Sequence, residues 1–210
     1  MAESQPVMLV PSDQARVEIR VVNSRFIGSV APVTTVEEAK SFIAGIRAEM
    51  PDANHHVYAY IIGHGATTTQ GMSDDGEPSG TAGRPALSVV RGSGLGDVAV
   101  VVTRYFGGTL LGTGGLVHAY SEATKEVLAI VPREQKIERQ TVIFTVPYAA
   151  YESTQRLIEA HTGVVETEDF ATDVTIDLAL PVAEIDAFSH AIQELTAGQT
   201  QIITPDQDET

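Results

Sequence analysis

The chain has 210 residues and a formal net charge of −15, and 43% of its residues are hydrophobic. This composition is typical of a globular protein, and the length allows one large domain or two small ones. The sequence contains no cysteine, and this excludes disulfides, zinc–thiolate sites, iron–sulfur clusters and cysteine nucleophiles. Because it has neither a run of roughly 18–20 apolar residues nor a secretory signal, we expect a cytoplasmic protein with no membrane association.

Apolar periodicity in the first half predicts an α+β domain in which helices pack on a sheet. The stretch 98–102 is apolar throughout, which is typical of a strand covered on both faces. Pro51 ends the first predicted helix, and Thr81 is expected to cap the second. In chain order, the predicted elements are strands near 17–21 and 26–33, a helix over 36–46, a strand at 57–62, a helix over 81–91, a strand at 98–102 and a helix over 117–131.

The second half predicts a ferredoxin-like domain with the element order β-α-β-β-α-β. Its third strand alternates apolar and polar residues, so that one face is buried. Pro181 suits the first turn of the last helix, which Gly198 would end. The predicted elements are strands at 137–146, 164–170, 174–180 and 199–203, and helices over 149–161 and 181–195. The polar, acidic tail at 204–210 is expected to be disordered.

A domain boundary is predicted near Val131–Pro132, which gives domains of 1–131 and 132–210. The first carries 9 basic and 13 acidic residues, a net charge of −4, and the second carries 4 and 15, a net charge of −11. Since phosphate binding depends on clustered lysine and arginine, the second domain is a poor candidate for nucleic-acid binding. No motif that reads DNA sequence is present.

Glycines concentrate in one region of the first domain. Fourteen of the 18 lie between Gly63 and Gly115. Glycine permits positive φ angles and close backbone approach, so unusual backbone conformations, and with them the function, are expected in this region. Two motifs occupy it.

The first motif packs three carboxylates, small hydroxyl residues and a guanidinium into a short stretch. Its carboxylates could hold magnesium, which prefers oxygen ligands, with Asp74, Asp75 and Glu77 as weak candidates, or two of them could act as acid and base. The alternative is a tight turn in which Asp74 or Glu77 pairs with Arg84 or Arg104. The candidate residues are Ser73, Asp74, Asp75, Gly76, Glu77, Ser79, Gly80, Thr81 and Arg84.

The second motif is a glycine-rich loop between a buried strand and a helix. Free backbone N–H groups at a helix N-terminus form a general anion site, to which an arginine adds a guanidinium fork. Aromatic residues in the loop could stack on a base or pack inward. Alternatively, the glycines let the helix lie close against the sheet. The candidate residues are Arg104, Tyr105, Phe106, Gly107, Gly108, Gly112, Gly114 and Gly115.

Histidines form a third, weaker set of candidates. His55 and His56 precede a predicted strand, His64 follows it and His118 lies on the last helix of the domain. Three of them could converge on a metal, although their spacing matches no zinc motif. The alternative is ordinary surface or hydrogen-bonded histidines.

Four stretches of the sequence together carry a family resemblance. They are SRFIGSVAPV at 24–33, PDANHHVYAYIIG at 51–63, SDDGEPSGTAGRP at 73–85 and VVTRYFGGTLLGTGGLVHAYSEA at 101–123. The chain resembles the bacterial two-domain members of the YigZ/Impact family, over roughly residues 15–203.

This resemblance implies both a fold and a functional surface. The first domain would be a left-handed βαβ sandwich similar to ribosomal proteins and GHMP kinases, and the second would be similar to the last domain of elongation factor G. The functional surface would comprise the two motifs, with His55 and Tyr60 nearby. Val57 and Gly71 stand where cysteine and arginine are expected in the family. The first departure excludes a thiol, and the second removes a positive charge from a phosphate site.

The leading functional hypothesis is a non-enzymatic binding protein of translational control, which acts through RNA, the ribosome or a translation factor. The resemblance implies it, but the charge of the first domain opposes it unless Arg84, Arg91 and Arg104 cluster. The second hypothesis is an enzyme or sensor that binds a small phosphate-bearing anion or nucleotide, with magnesium. The third is a protein–protein adaptor that uses the acidic second domain.

Overall fold

The computed structural model describes residues 8–64 and 68–204. The chain divides into two units, Met1–Lys136 and Ile137–Thr210, and the predicted two-domain α+β fold is confirmed. The division lies beyond the boundary predicted at 131/132, because residues 133–135 form a strand that pairs within the first unit. The predicted disordered tail, 204–210, lies outside the described residues except for Thr204.

A five-stranded sheet organises the first unit. Its elements are β1 (Leu9–Pro11), β2 (Ala15–Val21), β3 (Ser24–Pro32), α1 (Val36–Glu49), β4 (His55–Ile62), β5 (Thr69–Ser73), α2 (Gly83–Gly92), β6 (Val98–Tyr105), α3 (Gly112–Ile130) and β7 (Arg133–Gln135). The order in the sheet is β2-β3-β6-β4-β5, and β1 pairs separately with β7. Because β3 and β4 are both antiparallel to β6, they run parallel to each other on either side of it. With α1 they therefore form a βαβ unit that has a third strand inserted.

Helices cover both faces of this sheet. α2 and α3 pack on one face against residues such as Phe26 and Val102, and α1 packs on the other against Ile27 and Val101. Successive strand residues point to opposite faces. β6 is buried along both faces until its last residue, as its apolar sequence predicted.

α3 lies close against β3 at Gly28, a glycine outside the glycine-rich region. A Cβ atom at this position would lie 2.8 Å from the carbonyl oxygen of Ala123. By contrast, Cβ atoms at Gly108, Gly112 and Gly114 would meet nothing within 4 Å. The close packing of α3 against the sheet thus depends on Gly28, whereas Gly108, Gly112 and Gly114 make no close contact that would require a glycine for it.

The first unit contains strands that apolar alternation did not reveal. β5 has the sequence TQGMS and forms an edge of the sheet by pairing with β4. β4 begins at His55, so His55 and His56 lie in the strand rather than before it. Their backbones pair with Arg104 and Thr103 of β6, which extends the ladder beyond its apolar residues.

The second unit has the predicted ferredoxin-like order. Its elements are β8 (Arg139–Val146), α4 (Tyr151–Ala160), β9 (Val164–Phe170), β10 (Val174–Pro181) and α5 (Ile185–Leu195). β10 lies between β8 and β9 and is antiparallel to both. Both helices contribute to one core, in which Phe144, Ile158 and Phe188 are buried.

Two details of the second unit differ from the prediction. Pro181 is the last residue of β10, opposite Arg139, and α5 begins only at Ile185 after a short 3₁₀ turn. The strand expected at 199–203 is reduced to a single antiparallel bridge from Ile203 to Ile143. Across both units, no helix within the described ranges is long and apolar enough for a bilayer span.

Candidate functional site

The loop before α2 is organised around the carboxylate of Asp74. Its oxygens accept hydrogen bonds from the backbone N–H groups of Gly80, Ala82 and Gly83, at 2.8–3.0 Å. Burial alone would raise the pKa of Asp74, but these donors outweigh it and hold the pKa below its usual value. Asp74 therefore caps α2. Thr81, the predicted cap, instead donates its hydroxyl proton to a carbonyl within the loop.

Asp75 joins the same loop to β4 and α1. Its carboxylate accepts hydrogen bonds from the Arg47 guanidinium and, at 2.6 Å, from the backbone N–H of His56. Its carbonyl oxygen accepts one from Nδ1 of His55, at 2.8 Å. The backbone turns through the left-handed region at Asp75 (φ 47°) and Gly76 (φ 86°), a conformation for which glycine is best suited.

Glu77 and Arg104 form a buried ion pair between this loop and β6. Nη1 of Arg104 donates to Oε1 of Glu77 at 2.6 Å, and the Tyr120 hydroxyl donates to the same oxygen at 2.7 Å. Arg104 is 5% exposed and Glu77 is 8% exposed. Burial, followed by the bond to Glu77, raises the pKa of Tyr120. Of the pairings that the sequence left open, the structure contains the one between Glu77 and Arg104.

Arg104 retains hydrogen-bonding capacity despite this pairing. Its Nε is buried and has no partner among the described residues, and its Nη2 lies 3.5 Å from Oγ of Ser24, at the weak limit for a hydrogen bond. The guanidinium also lies 5.4 Å from the ring centroid of Phe106. Buried donors in native proteins are nearly always satisfied, so the guanidinium has a donor capacity that the described residues do not use.

The first turn of α3 has no side-chain cap. Leu111 precedes the helix and makes no capping hydrogen bond, so the N–H groups of residues 112–114 remain at the positive end of the helix dipole. Gly108 and Gly112 have φ angles of 82° and 69°, which let the loop turn into the helix. Gly107 has a different role. A Cβ there would lie 1.9 Å from the carbonyl oxygen of Asn23, so only glycine fits against the β2–β3 turn.

A cavity of about 410 Å³ brings these groups together. This volume lies within the usual range for small-molecule sites. At its rim, Phe106 is 43% exposed and Leu110 is 87% exposed. The lining residues are Asn54, His55, Glu77, Pro78, Arg104, Phe106, Leu110, Leu111, Gly112, Thr113 and Leu116. The arrangement can hold an anion against the start of α3 and a planar group against Phe106.

Two predicted site residues lie on the opposite face of the sheet. Tyr60 and Tyr105 pack towards α1, because alternate residues of a strand point to opposite faces. The Tyr105 hydroxyl donates to Asp52. A Cβ at Gly71 would lie 2.2 Å from the Tyr60 ring, so position 71 also belongs to this far face, and an arginine there would not reach the cavity from it.

The three arginines that would have to cluster are separated. Arg84 and Arg91 lie on α2 and line another cavity with Met72 and Ser88, whereas Arg104 is buried beside Glu77. The arrangement therefore lacks the cluster of three arginines that would offset the negative charge of the first domain.

The carboxylates and histidines do not converge on a metal. The described ranges 8–64 and 68–204 contain no group of three potential ligands. His64 points to the carbonyl oxygen of Leu9, at 3.2 Å, and His118 is exposed on α3. Magnesium bound by Asp74, Asp75 or Glu77 stays a prediction, and it would have to compete with the protein partners that these carboxylates already have.

Three contributors to the site were missed from the sequence. Tyr120 has the spacing of a core residue on α3, and its hydroxyl gives no signal in that pattern. Asn54 accepts from the backbone N–H of Phe106 at 2.7 Å, and Ser24 accepts from that of Gly107 at 3.2 Å. Asn54 immediately precedes β4, and Ser24 is the first residue of β3. They lie beside the glycine-rich loop only because β3 and β4 both pair with β6.

Comparison with known proteins places this architecture in a family. Residues 22–128 match the model of the Impact N-terminal domain, and residues 144–199 match a domain of unknown function, DUF1949. The chain is 37% identical to the IMPACT family member YigZ of Escherichia coli, over 93% of this chain and 96% of that protein. The chain belongs to the IMPACT family.

A second IMPACT family member and a solved structure agree with this assignment in length and fold. An IMPACT family member of Haemophilus influenzae is 37% identical over 92% of this chain and 95% of its own length. A crystal structure of a hypothetical protein aligns with a TM-score of 0.76 at 35% identity, and covers 96% of this chain and 98% of that one. The Impact N-terminal match contains the cavity and both motifs, so the candidate site lies in the domain that gives the family its name.

Proposed function

We propose that this protein is a non-catalytic binding protein of translational control, which holds a phosphate group of single-stranded RNA in the cavity at the start of α3. The observation that carries the proposal is that the uncapped first turn of α3 and the guanidinium of Arg104 line one cavity. Helix N-termini and guanidinium groups both bind phosphate oxygens. The translational part of the proposal rests on the family resemblance.

Binding, rather than catalysis, fits the state of the acidic groups around the cavity. A general base must reach the proton that it removes. Oε1 of Glu77 already accepts two hydrogen bonds, and Asp74 accepts three. These carboxylates hold the loop and the buried arginine in place, which is a structural role.

The charge of the first unit determines the expected binding mode. Its residues 1–131 carry a net charge of −4, which disfavours a groove that follows many phosphates. We expect contacts to one or two phosphates, with a base stacked on Phe106. The logarithm of the affinity would then fall with the logarithm of the salt concentration with a slope of only about −0.7 to −1.4.

The test is fluorescence anisotropy of a labelled oligouridine of about ten nucleotides with the full chain, over a salt series. Thr113→Glu places a carboxylate in the first turn of α3. There it interacts favourably with the helix dipole, but it repels an anion in the cavity. We therefore expect RNA binding to be lost while the stability of the protein is retained. Ser41→Glu, on the exposed face of α1, changes the net charge equally and should bind as the unaltered protein does.

A second substitution examines stacking, and a sedimentation experiment examines the translational role. Phe106→Leu keeps an apolar rim but removes the ring, and should weaken binding by roughly 1–3 kcal/mol. In lysate, the unaltered protein should sediment with ribosomes and the Thr113→Glu variant should not. Absence of oligouridine binding at low salt would contradict RNA recognition, and sedimentation that is independent of Thr113 would contradict the role of the cavity.

A small phosphorylated ligand is the second candidate, because a cavity of about 410 Å³ suits a nucleotide-sized molecule. Adenosine monophosphate and inorganic phosphate should then raise the melting temperature of the unaltered protein, with and without magnesium, but not that of Thr113→Glu. Stabilisation by the nucleotide together with no binding of oligouridine would favour this function over RNA recognition.

A further inference from the structure

Three aromatic rings lie together at one end of the sheet in the second unit. The Phe170 ring, at the end of β9, lies 5.6 Å from that of Tyr151 and 6.4 Å from that of Tyr148, between centroids. Tyr148 is 52% exposed and Phe170 is 53% exposed. Scattered apolar residues are normal on a surface, but grouped exposed rings mark an interaction surface.

Hydrogen bonds hold this aromatic cluster of Tyr148, Tyr151 and Phe170 in place. The Tyr148 hydroxyl donates to the carbonyl oxygen of Ala171 at 3.0 Å. The Tyr151 hydroxyl donates to Glu168, also at 3.0 Å. Because both tyrosines are already fixed, a partner would lose little of its binding free energy to ordering them.

The surroundings of the cluster are strongly acidic. Residues 137–210 contain 14 acidic side chains and two basic ones, a net charge of −12. Of the two basic residues, Arg139 donates to backbone carbonyls at the opposite end of β8, and Arg156 lies between α4 and α5 beside Glu152. Neither supplies a cation to the rings.

Glu168 provides a negative charge in contact with the cluster. Its carboxylate accepts hydrogen bonds from Tyr151 and from the Gln155 side chain. A carboxylate has about four acceptor positions, so Glu168 retains capacity for a further donor. An aromatic face beside such a carboxylate favours a cation, since the ring attracts it electrostatically and the carboxylate pairs with it.

We propose that the aromatic cluster, with Glu168, is a docking site for an arginine-rich segment of a protein partner. A guanidinium would stack on the exposed faces of Phe170 and Tyr148 and donate to Glu168. Nucleic acid is repelled by the charge of the unit, and a purely apolar partner would bury Glu168 without a counter-charge. The proposal does not depend on the cavity of the first unit or on its ligand.

The test measures binding of a fluorescent oligoarginine peptide to the full chain, with oligolysine and a neutral glycine–serine peptide of equal length. We expect oligoarginine to bind more tightly than oligolysine, because guanidinium stacks better on aromatic rings, and the neutral peptide not to bind. Phe170→Leu keeps apolar area but removes the ring, and should weaken oligoarginine binding about two- to five-fold.

Two charge variants separate local pairing from the overall field. Glu168→Gln should weaken oligoarginine binding by a similar factor. Glu194→Gln removes one negative charge at the groove between α4 and α5 and should leave the affinity unchanged. Thermal melts of each variant confirm that the fold is retained.

Three outcomes would overturn the proposal. One is the absence of oligoarginine binding at low salt, and another is equal weakening by Glu168→Gln and Glu194→Gln, which would indicate a general effect of charge. The third is a concentration-dependent dimer of the protein alone that Phe170→Leu abolishes, which would assign the cluster to contact with a second copy of the chain.

Discussion

Arg104 shows that the role of a charged residue is set by its partners. The sequence places it before a glycine-rich loop, where an exposed arginine would be an anion ligand. In the structure Arg104 is buried, and its Nη1 donates a hydrogen bond to Oε1 of Glu77. The Tyr120 hydroxyl donates to the same oxygen of Glu77. One guanidinium therefore stabilises the loop and also lines the cavity.

Replacement of Arg104 should destabilise the protein strongly. Arg104→Met leaves the Glu77 carboxylate buried without a counter-charge, so we expect a loss of about 3–5 kcal/mol in the free energy of unfolding, measured by urea denaturation. Arg84→Ala, an exposed arginine on α2, should change it by less than about 0.5 kcal/mol.

A double variant checks the cause of this loss. Adding Glu77→Gln to Arg104→Met removes the buried charge and should recover part of the stability, as a non-additive term in the mutant cycle. Strict additivity, or a loss for Arg104→Met no larger than for Arg84→Ala, would contradict the description of a buried pair.

Asp74 makes part of the stability dependent on pH. Its folded-state pKa lies below the ordinary value of 3.8, so its contribution is fully present above that value and is lost as pH falls through the folded pKa. Both carboxylate oxygens of Asp74 accept hydrogen bonds, and Asp74→Asn replaces one of them with an NH₂ group, so it should lower the free energy of unfolding at neutral pH by about 1 kcal/mol, the cost of a lost hydrogen bond. Denaturation at a series of pH values should show the difference from the unaltered protein shrinking in acid.

The control for this titration is Glu126→Gln, which removes an exposed charge from α3. Its difference from the unaltered protein should stay near zero at every pH. If the difference for Asp74→Asn were also constant with pH, the carboxylate would not be the charged cap described here.

At the scale of elements, Gly28 and Gly45 are both glycines inside a regular element, β3 and α1, but the space around them differs. A side chain at Gly28 would meet the backbone of α3, whereas Gly45 on α1 has nothing within 4 Å of its Cβ position. Gly28→Ala should therefore destabilise by about 1–3 kcal/mol, as overpacked cores do. Gly45→Ala should stabilise by about 0.5–1 kcal/mol, since alanine favours a helix interior. Thermal or urea denaturation measures both, and equal effects would contradict the close approach of α3 to β3.

The pattern of apolar residues predicted the helices and strands that bury one face. It did not predict the strands that are held mainly by backbone hydrogen bonds to a neighbouring strand. The alternation in β2 and β10 and the apolar run of β6 predicted those strands. β5 and β7 carry sequences such as TQGMS and REQ, in which no periodicity is visible, and they exist because a neighbouring strand offers hydrogen-bonding groups. The prediction that Thr81 caps α2 failed for a related reason. The capping carboxylate belongs to Asp74, which lies several residues before the helix in the sequence.

At the scale of the whole molecule, the sequence predicted the two-domain α+β fold but only part of the candidate site. The family resemblance implied that the two motifs form one surface, and residues of both line the cavity. Neither the motifs nor the resemblance gave the geometry of individual side chains. Tyr60 and Tyr105 share strands with His55 and Arg104 but face α1, because one residue along a strand reverses the face. The unequal charge of the two units was visible from composition, and it underlies the different partners proposed for them.

The pairing of β1 with β7 also bears on how the protein is made. Leu9–Pro11 form their ladder with residues 133–135, so during synthesis β1 must await the last strand of its unit. During this interval the groups that pair with β7 have no partner, as on an open sheet edge, although Leu9 can already accept a hydrogen bond from Gly96. The first unit can therefore close only as synthesis of the second begins, and the timing of the nascent chain, rather than local sequence, governs when its N-terminal strand is protected.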